Sequence, residues 1–160
     1  MLHATDPLRE EHVHLWPHVR ELVMLAAALD PWDESIGQRL RDAVTFLRDH
    51  LVPHATAEET LLYPAVDRAL GSPGATVTMV VDHEEIVRRI AILEGLVGLS
   101  AGGPPSGELI SELRAHLYGL EAILALHFRK EEEILLPALE AGLGDAQIAA
   151  VIDAMHDTAR

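Results

Sequence analysis

Leu8, Leu15, Val19, Leu22 and Leu29 fall at the spacing of one helical face, and the run is opened by Thr5-Asp6-Pro7 and closed by Asp30-Pro31. This predicts a first helix with a capping side chain and a proline in its first turn. Pro17, inside it, is expected to bend it. Ile36, Leu40, Val44, Leu47 and Leu51 mark a second helix, starting near Asp33 or Ser35 and continuing to about Leu70, with kinks expected at Pro53 and Pro64. "GSPG" (71–74) reads as a turn, and a third helix is predicted from about Ala75 to Leu99. "SAGGPPSG" (100–107) is the clearest linker. A fourth helix is predicted from about Glu108 to Ala141, and a short amphipathic one from about Asp145 to Met155, packed across one end. No stretch alternates as a strand would. The pattern predicts an all-α protein, an antiparallel up-down-up-down four-helix bundle with a short C-terminal helix, in one domain over residues 1–160.

The second and fourth helices repeat a sentence. "HATAEETLLYPA" from His54 returns as "HFRKEEEILLPA" from His127. Six of the thirteen positions from His54 to Val66 are identical in the second copy, and two more are aliphatic in both. On a helix, residues four apart share a face, so His54 with Glu58, and His127 with Glu131, each present an imidazole and a carboxylate to one patch. A solvated surface has no physical reason to repeat that pair with its flanking Leu and Pro. Helices one and three carry a fainter repeat. His12 follows Glu11 and precedes Leu15, Val19 and Leu22; His83 follows Asp82 and precedes Ile86, Ile90 and Leu93 at the same offsets. Each His thus lies on the buried stripe of its helix. His14 and His18 fail this test, because Pro17 and Glu21 stand where an apolar residue is needed.

Buried carboxylates are costly unless paired or metal-bound. Four imidazoles and two carboxylates converging in a bundle core suit one or two first-row metal ions, and carboxylates that bridge make two ions sharing Glu58 and Glu131 the natural count. The His in helix one, HxxxE in helix two, His in helix three and HxxxE in helix four resemble the hemerythrin-like, or HHE cation-binding, domain, over about Leu8 to Leu139. The resemblance implies a four-helix bundle with a non-haem di-iron centre, two iron ions with an oxo or hydroxo bridge. It implies His12, His54, Glu58, His83, His127 and Glu131 as ligands, with the two Glu bridging. Members of that family bind or sense dioxygen, handle iron, or react with peroxide or nitric oxide. In one respect the chain departs from the family's oxygen carriers: Val87 stands where they have a second His one turn after the helix-three His. His50 and Glu84 are the candidates to replace it, and the gap argues against carrier-like reversible binding.

Composition narrows the classes further. The chain has no cysteine, which removes disulfides, thiolate zinc sites and iron–sulfur clusters. A formal net charge of −14 argues against nucleic acid as a partner. No apolar run reaches the ~18 residues of a membrane span, and "MLHATDPLREEH" lacks the pattern of a secretion signal, so a cytoplasmic setting is expected. Of ten histidines, His3 and His156 read as solvated. His116 lies ~16 Å along its helix from His127, too far to share an ion. Trp16 reads as a core plug near the site, and Tyr63, whose place in the repeat is taken by Leu136, carries no special role. The expected function is binding or sensing of dioxygen or a related small molecule. The alternatives are an enzyme that acts on peroxide or oxidises iron, and an intracellular metal store.

Overall fold

A computed structural model describes residues 3–158. The protein is all-helical, and no strand occurs among the described residues. Helix α1 spans Asp6–Ala28. A long helical stretch then runs from 34 to 70, comprising α2 (Glu34–Phe46), α3 (Val52–Ala57) and α4 (Tyr63–Leu70) joined by π turns at Leu47–Leu51 and Glu58–Leu62. Helix α5 spans Val77–Leu99. A second long stretch runs from 107 to 142: α6 (Gly107–Lys130), a π turn at Glu131–Leu135, and α7 (Leu136–Gly142). Helix α8 (Asp145–Thr158) ends the described chain. α6 packs on both α1 and α5, α2 packs on the same two helices, α4 lies on α7, and α8 covers the Glu58–Leu62 turn.

Local chemistry sets these boundaries. Asp33 caps α2, its Oδ1 accepting from the Ser35 and Ile36 amides at 2.7 and 3.1 Å. Ser106 Oγ accepts from the Leu109 amide and caps α6. Gly71 closes α4 in the left-handed region, at φ 61°, which a residue with a Cβ enters at a cost. Thr5 does not cap α1 with its side chain; it is buried, and its hydroxyl donates to Glu140.

The expected kinks take a specific form. The residue that follows each π turn stands just before a proline: Val52 before Pro53, Tyr63 before Pro64, Leu136 before Pro137. That residue donates its amide five positions back, to Leu47, Glu58 and Glu131 respectively. Proline has no amide hydrogen and crowds the carbonyl four residues before it. Widening the preceding turn by one residue relieves the crowding. The repeat therefore copies a backbone irregularity as well as side chains. The bend expected at Pro17 takes no such form, since α1 is continuous through it. The carbonyl that loses its donor there belongs to Val13, a residue that is 65% exposed.

The core divides in two. One apolar cluster is built from residues such as Leu22, Leu40, Leu93 and Leu117, the other from residues such as Leu8, Tyr63, Leu139 and Ile152. Along α1 the chain passes from the second cluster (Leu8) through His12 to the first (Leu15 onward). Along 34–70 it passes from the first (Leu51) through His54 and Glu58 to the second (Leu62). Along α5 it passes from Met79 through His83 to Ile86, and along 107–142 from Leu124 through His127 and Glu131 to Leu135. A polar layer thus lies between two apolar ones.

Small residues let α4 and α7 approach closely. A Cβ on Gly142 would sit 2.5 Å from the Ala69 carbonyl oxygen and 2.7 Å from its Cα. Gly142→Ala should destabilise the protein by about 1–3 kcal/mol, because backbone atoms cannot yield as a side chain can. Gly98→Ala, on an exposed position of α5 with nothing within 4 Å, should stabilise it by about 0.5–1 kcal/mol. Urea denaturation of the two variants, showing shifts of opposite sign, checks both.

Candidate metal centre

The polar layer brings together all six residues expected from the sequence. His12, Glu58, His83, His127 and Glu131 are each at most 3% exposed, and His54 is 12% exposed. His12 Nε2 lies 3.3 Å from Glu131 Oε2 and 3.8 Å from Glu58 Oε1. His54 Nε2 lies 2.9 Å from Glu58 Oε1, and His83 Nε2 lies 3.4 Å from Glu58 Oε2. His127 Nε2 lies 3.3 Å from Glu131 Oε1 and 2.9 Å from His83 Nε2. Two groups of ligating atoms result: Glu58, His83, His127 and Glu131 in one, and His12, His54 and Glu58 in the other.

Every one of the four imidazoles turns its other nitrogen to a carboxylate. His12 Nδ1 meets Glu132 at 3.0 Å, His54 Nδ1 meets Glu11 at 3.1 Å, His83 Nδ1 meets Glu59 at 2.9 Å, and His127 Nδ1 meets Asp82 at 3.1 Å. An ionised carboxylate only accepts, so each Nδ1 carries the proton and donates it. In the neutral ring, Nε2 is then left as a lone pair aimed into the layer. The pairing follows the repeat. The acid preceding each single His (Glu11, Asp82) holds the His of an HxxxE pair. The Glu following each HxxxE (Glu59, Glu132) holds a single His from another helix.

These four anchors had no assigned role in the sequence reading. Their signal was present, because an acid at the same offset in both halves is as hard to explain on a solvated surface as the repeated His. Glu59 and Glu132 are rotated about 100° from Glu58 and Glu131, which takes them out of the centre and onto the neighbouring helix.

Tyr63 is a second residue the sequence reading set aside, and the structure corrects this. It is 2% exposed, and its hydroxyl donates to Glu131 Oε1 at 2.7 Å, lying 3.2 Å from His83 Nε2 and 3.3 Å from His127 Nε2. Tyr63 and Glu58 are five residues apart, which an α-helix puts on different faces and a π turn brings back into line.

The remaining candidates lie elsewhere. His14, His18, His50 and Glu84 are exposed. His50 sits inside the Leu47–Leu51 π turn, whose extra residue breaks the register with His54 that would have aimed it inward. His116 is half-buried on α6, outside both groups. His156 is 47% exposed yet not simply solvated: its Nε2 meets the other oxygen of Glu11 at 2.5 Å. His3 Nδ1 lies 3.2 Å from Glu140. Trp16 packs edge-on against Phe128, and Phe128 stacks on the His12 ring at 4.6 Å. Val87 lines a small cavity beside His54, Glu58, His83 and His127, walled also by Leu51, Ala55, Ile86 and Leu124.

The electrostatics show what the layer is suited to hold. Burial pulls the His12 imidazole down, but hydrogen bonds and charge from Glu131 and Glu58 outweigh it and push it up to about 10. Burial likewise opposes, and the carboxylates again overcome, to raise His54 and His127. Burial favours the neutral form of Glu58 and Glu131, yet the surrounding imidazoles hold both below the usual carboxylate range. Burial, with the negative charge of Glu58 and Glu131, keeps the Tyr63 phenol protonated, and a cation placed at the cluster would pull it the other way.

Cations fit this layer on two counts. His12 Nε2, His54 Nε2 and Glu131 Oε2 are buried and held by charge contacts within the layer alone, none of them a hydrogen bond of regular geometry. The His83 and His127 lone pairs face each other across 2.9 Å, where neither can donate in the neutral form. Two nitrogens bound at right angles to one ion, with bonds of about 2.0–2.1 Å, lie about 2.9 Å apart.

The sequence model of the hemerythrin HHE cation binding domain matches residues 3–139, and matches 75–160 a second time. The chain belongs to this family. No curated protein and no solved structure yields a match. Membership and the buried His/Glu layer make this chain a hemerythrin-like, metal-binding protein. No helix among the described residues is long and apolar enough to cross a membrane.

Two measurements follow from this geometry. Replacing an anchor should loosen the imidazole it holds. Glu59→Ala and Glu132→Ala should each weaken metal affinity about 10- to 100-fold. Glu133→Ala, which removes only an exposed contact with Arg129, should leave affinity unchanged. Competition with a chelator reads both.

The second measurement concerns the metal-free protein and pH. His12 is raised, so its contribution to stability is complete below its unfolded value of 6.5 and is lost as pH climbs through about 10. Glu58 and Glu131 are lowered, so theirs is complete above their unfolded value of 4.5 and is lost as pH falls through the folded value. Stability should plateau between pH 4.5 and 6.5, then decline by on the order of 3 kcal/mol or more by pH 10, a decline that His12→Ala reduces without abolishing, since His54 and His127 are raised as well. Urea denaturation across pH shows whether the alkaline decline exists and whether part of it belongs to His12.

Proposed function

We propose that the layer holds two iron ions and that the protein binds dioxygen, or a related small ligand such as peroxide, beside them. The observation that carries this reading is the convergence of four imidazoles on two buried carboxylates, of which Glu58 belongs to both ligand groups and Glu131 to one, with an oxygen 3.3 Å from His12 Nε2 of the other. His12 and His54 would hold one ion, His83 and His127 the other, and Glu58 and Glu131 both. Iron supplies the redox chemistry and the open coordination positions when bound. A His-dominated donor set differs from the Glu-rich sets of di-iron oxidases, which places small-molecule binding ahead of iron oxidation.

This chain's own residues provide the rest. The Nδ1 anchors fix each ring and its tautomer. Tyr63, against His83, His127 and Glu131, offers a phenol oxygen to one side of the cluster, a better-placed group than His50 or Glu84 to replace the donor absent at Val87. The cavity beside Val87 has a volume of ≈ 10 Å³, room for about one water-sized molecule, and its walls are largely aliphatic. Such a space favours a small uncharged ligand over an anion. Peroxide consumption is the second reading, favoured by Tyr63, whose hydroxyl places a proton donor inside the cluster.

The frame we infer is an antiparallel up-down-up-down arrangement of α1, 34–70, α5 and 107–142. It is supported by the alternation in which successive stretches traverse the two apolar clusters, in opposite order each time. A cytoplasmic setting completes the reading.

The test is elemental analysis of purified protein with visible spectra recorded without ligand, then with dioxygen and with peroxide. Two irons per chain and a spectrum that responds to either ligand are expected. Val87→Phe should keep both irons and weaken the response about tenfold or more, by filling the cavity. Full iron with no response to either ligand would leave a metal store, and no iron would remove the reading.

A further inference from the structure

We propose that the groove between α1 and the α2–α3 stretch is the route by which divalent cations reach the buried cluster. The inference rests on the metal-binding reading above. It starts from unequal exposure within the cluster. His12, His83 and His127 are sealed at 2%, 3% and 1%, whereas His54 is 12% exposed. Any ion that enters without unfolding the bundle meets His54 first.

His54 forms the inner end of a groove of ≈ 410 Å³. One wall is α1, with Glu11, His14 and His18 on a single stripe at i, i+3 and i+7. The other is the α2–α3 stretch, which contributes Phe46, His50 and, beyond the Leu47–Leu51 π turn, His54. Three of the six histidines outside the cluster therefore line one path that ends at a histidine inside it. His18 stacks on Phe46 with ring centroids 3.5 Å apart, and Phe46 lies 5.1 Å from His50, which brings two imidazoles to the same ring. His14 donates its Nδ1 proton to the Glu10 carbonyl at 2.7 Å, leaving Nε2 as a free lone pair.

Charge selects a cation as the occupant. At the outer end His18 and Phe46 also border a depression containing Glu21, Arg39 and Asp42. Arg39 is taken up by Glu21 at 2.7 Å, so the rim is net negative. At the inner end stands Glu11, and the chain as a whole carries −14. Neutral imidazoles are good ligands for first-row divalent ions and, singly, weak ones, which suits transfer rather than storage. Along the groove each step only exchanges one imidazole or water ligand of the ion for the next. The ion arrives at the group formed by His12, His54 and Glu58, which should fill first.

The experiment uses the full-length, metal-free protein mixed with Fe(II) under anaerobic conditions. Uptake is stopped at intervals with excess chelator, and iron retained per chain is measured against time. The triple variant His14→Gln, His18→Gln, His50→Gln should load about tenfold more slowly at low ionic strength, with the same final iron content and the same circular dichroism. An unchanged rate would overturn the route. A reduced final content in the folded variant would also overturn it, since these histidines would then be holding metal rather than passing it. If the unaltered protein retains no iron at all, the metal reading falls and takes the route with it, which separates the two failures.

Discussion

The constraint on which this fold turns is a layer of four imidazoles and two carboxylates in the middle of an otherwise aliphatic bundle. An unpaired polar group buried this deeply costs roughly 1–3 kcal/mol, and a charged one more. The chain meets that cost from both ends of each ring. Outside, Glu11, Glu59, Asp82 and Glu132 take the Nδ1 protons from partly exposed positions where their own charge is cheap to solvate. Inside, the Nε2 atoms crowd around Glu58 and Glu131, and three buried atoms are left without a hydrogen bond. The leftover capacity is the binding capacity: atoms with no hydrogen bond in the protein are the ones free to take a cation.

Backbone and side chain are coupled through the prolines. Pro64 and Pro137 each force a π turn that starts on the shared Glu. The extra residue sends the helix beyond the site into a different register from the helix before it. In the second half this has no visible chemical consequence, because Leu136 follows. In the first half it swings Tyr63 onto the His83–His127 side. A near-symmetric repeat thus yields an asymmetric site, with a phenol on one face and, toward Val87, an aliphatic cavity.

Much of this was legible in the sequence, for a physical reason. Helix count and extent follow from apolar periodicity and from caps such as Asp33 and Ser106, both local properties. The six cluster residues could be picked out because a duplicated pattern on a buried stripe has no cheap explanation, and the stripe also separated His12 from His14 and His18. Residues that depend on the backbone departing from α geometry were misjudged. His50 sits in a π turn, so reckoning at 100° per residue makes it a candidate within the site; Tyr63, just after one, is within reach of the site, but the repeat, with Leu136 in its place, gives it no role. The anchors were missed for a different reason. Their partners lie on other helices, and helix adjacency is a tertiary fact that periodicity does not carry.

The same asymmetry bears on how the two halves of the layer divide their work. The half around His12, His54 and Glu58 keeps two orphaned nitrogens, borders the histidine groove, and hangs on Glu11, which also meets His156 of α8. The half around His83 and His127 is closed, with Tyr63 filling the space between its nitrogens and Glu131. An open half suits exchange with the outside, and a closed, hydrogen-bonded half suits retention. The cavity by Val87 touches both, through His54 and Glu58 on one side and His83 and His127 on the other. A small ligand lodged there would sit against donors of both groups at once, the placement that the proposed two-ion reading requires.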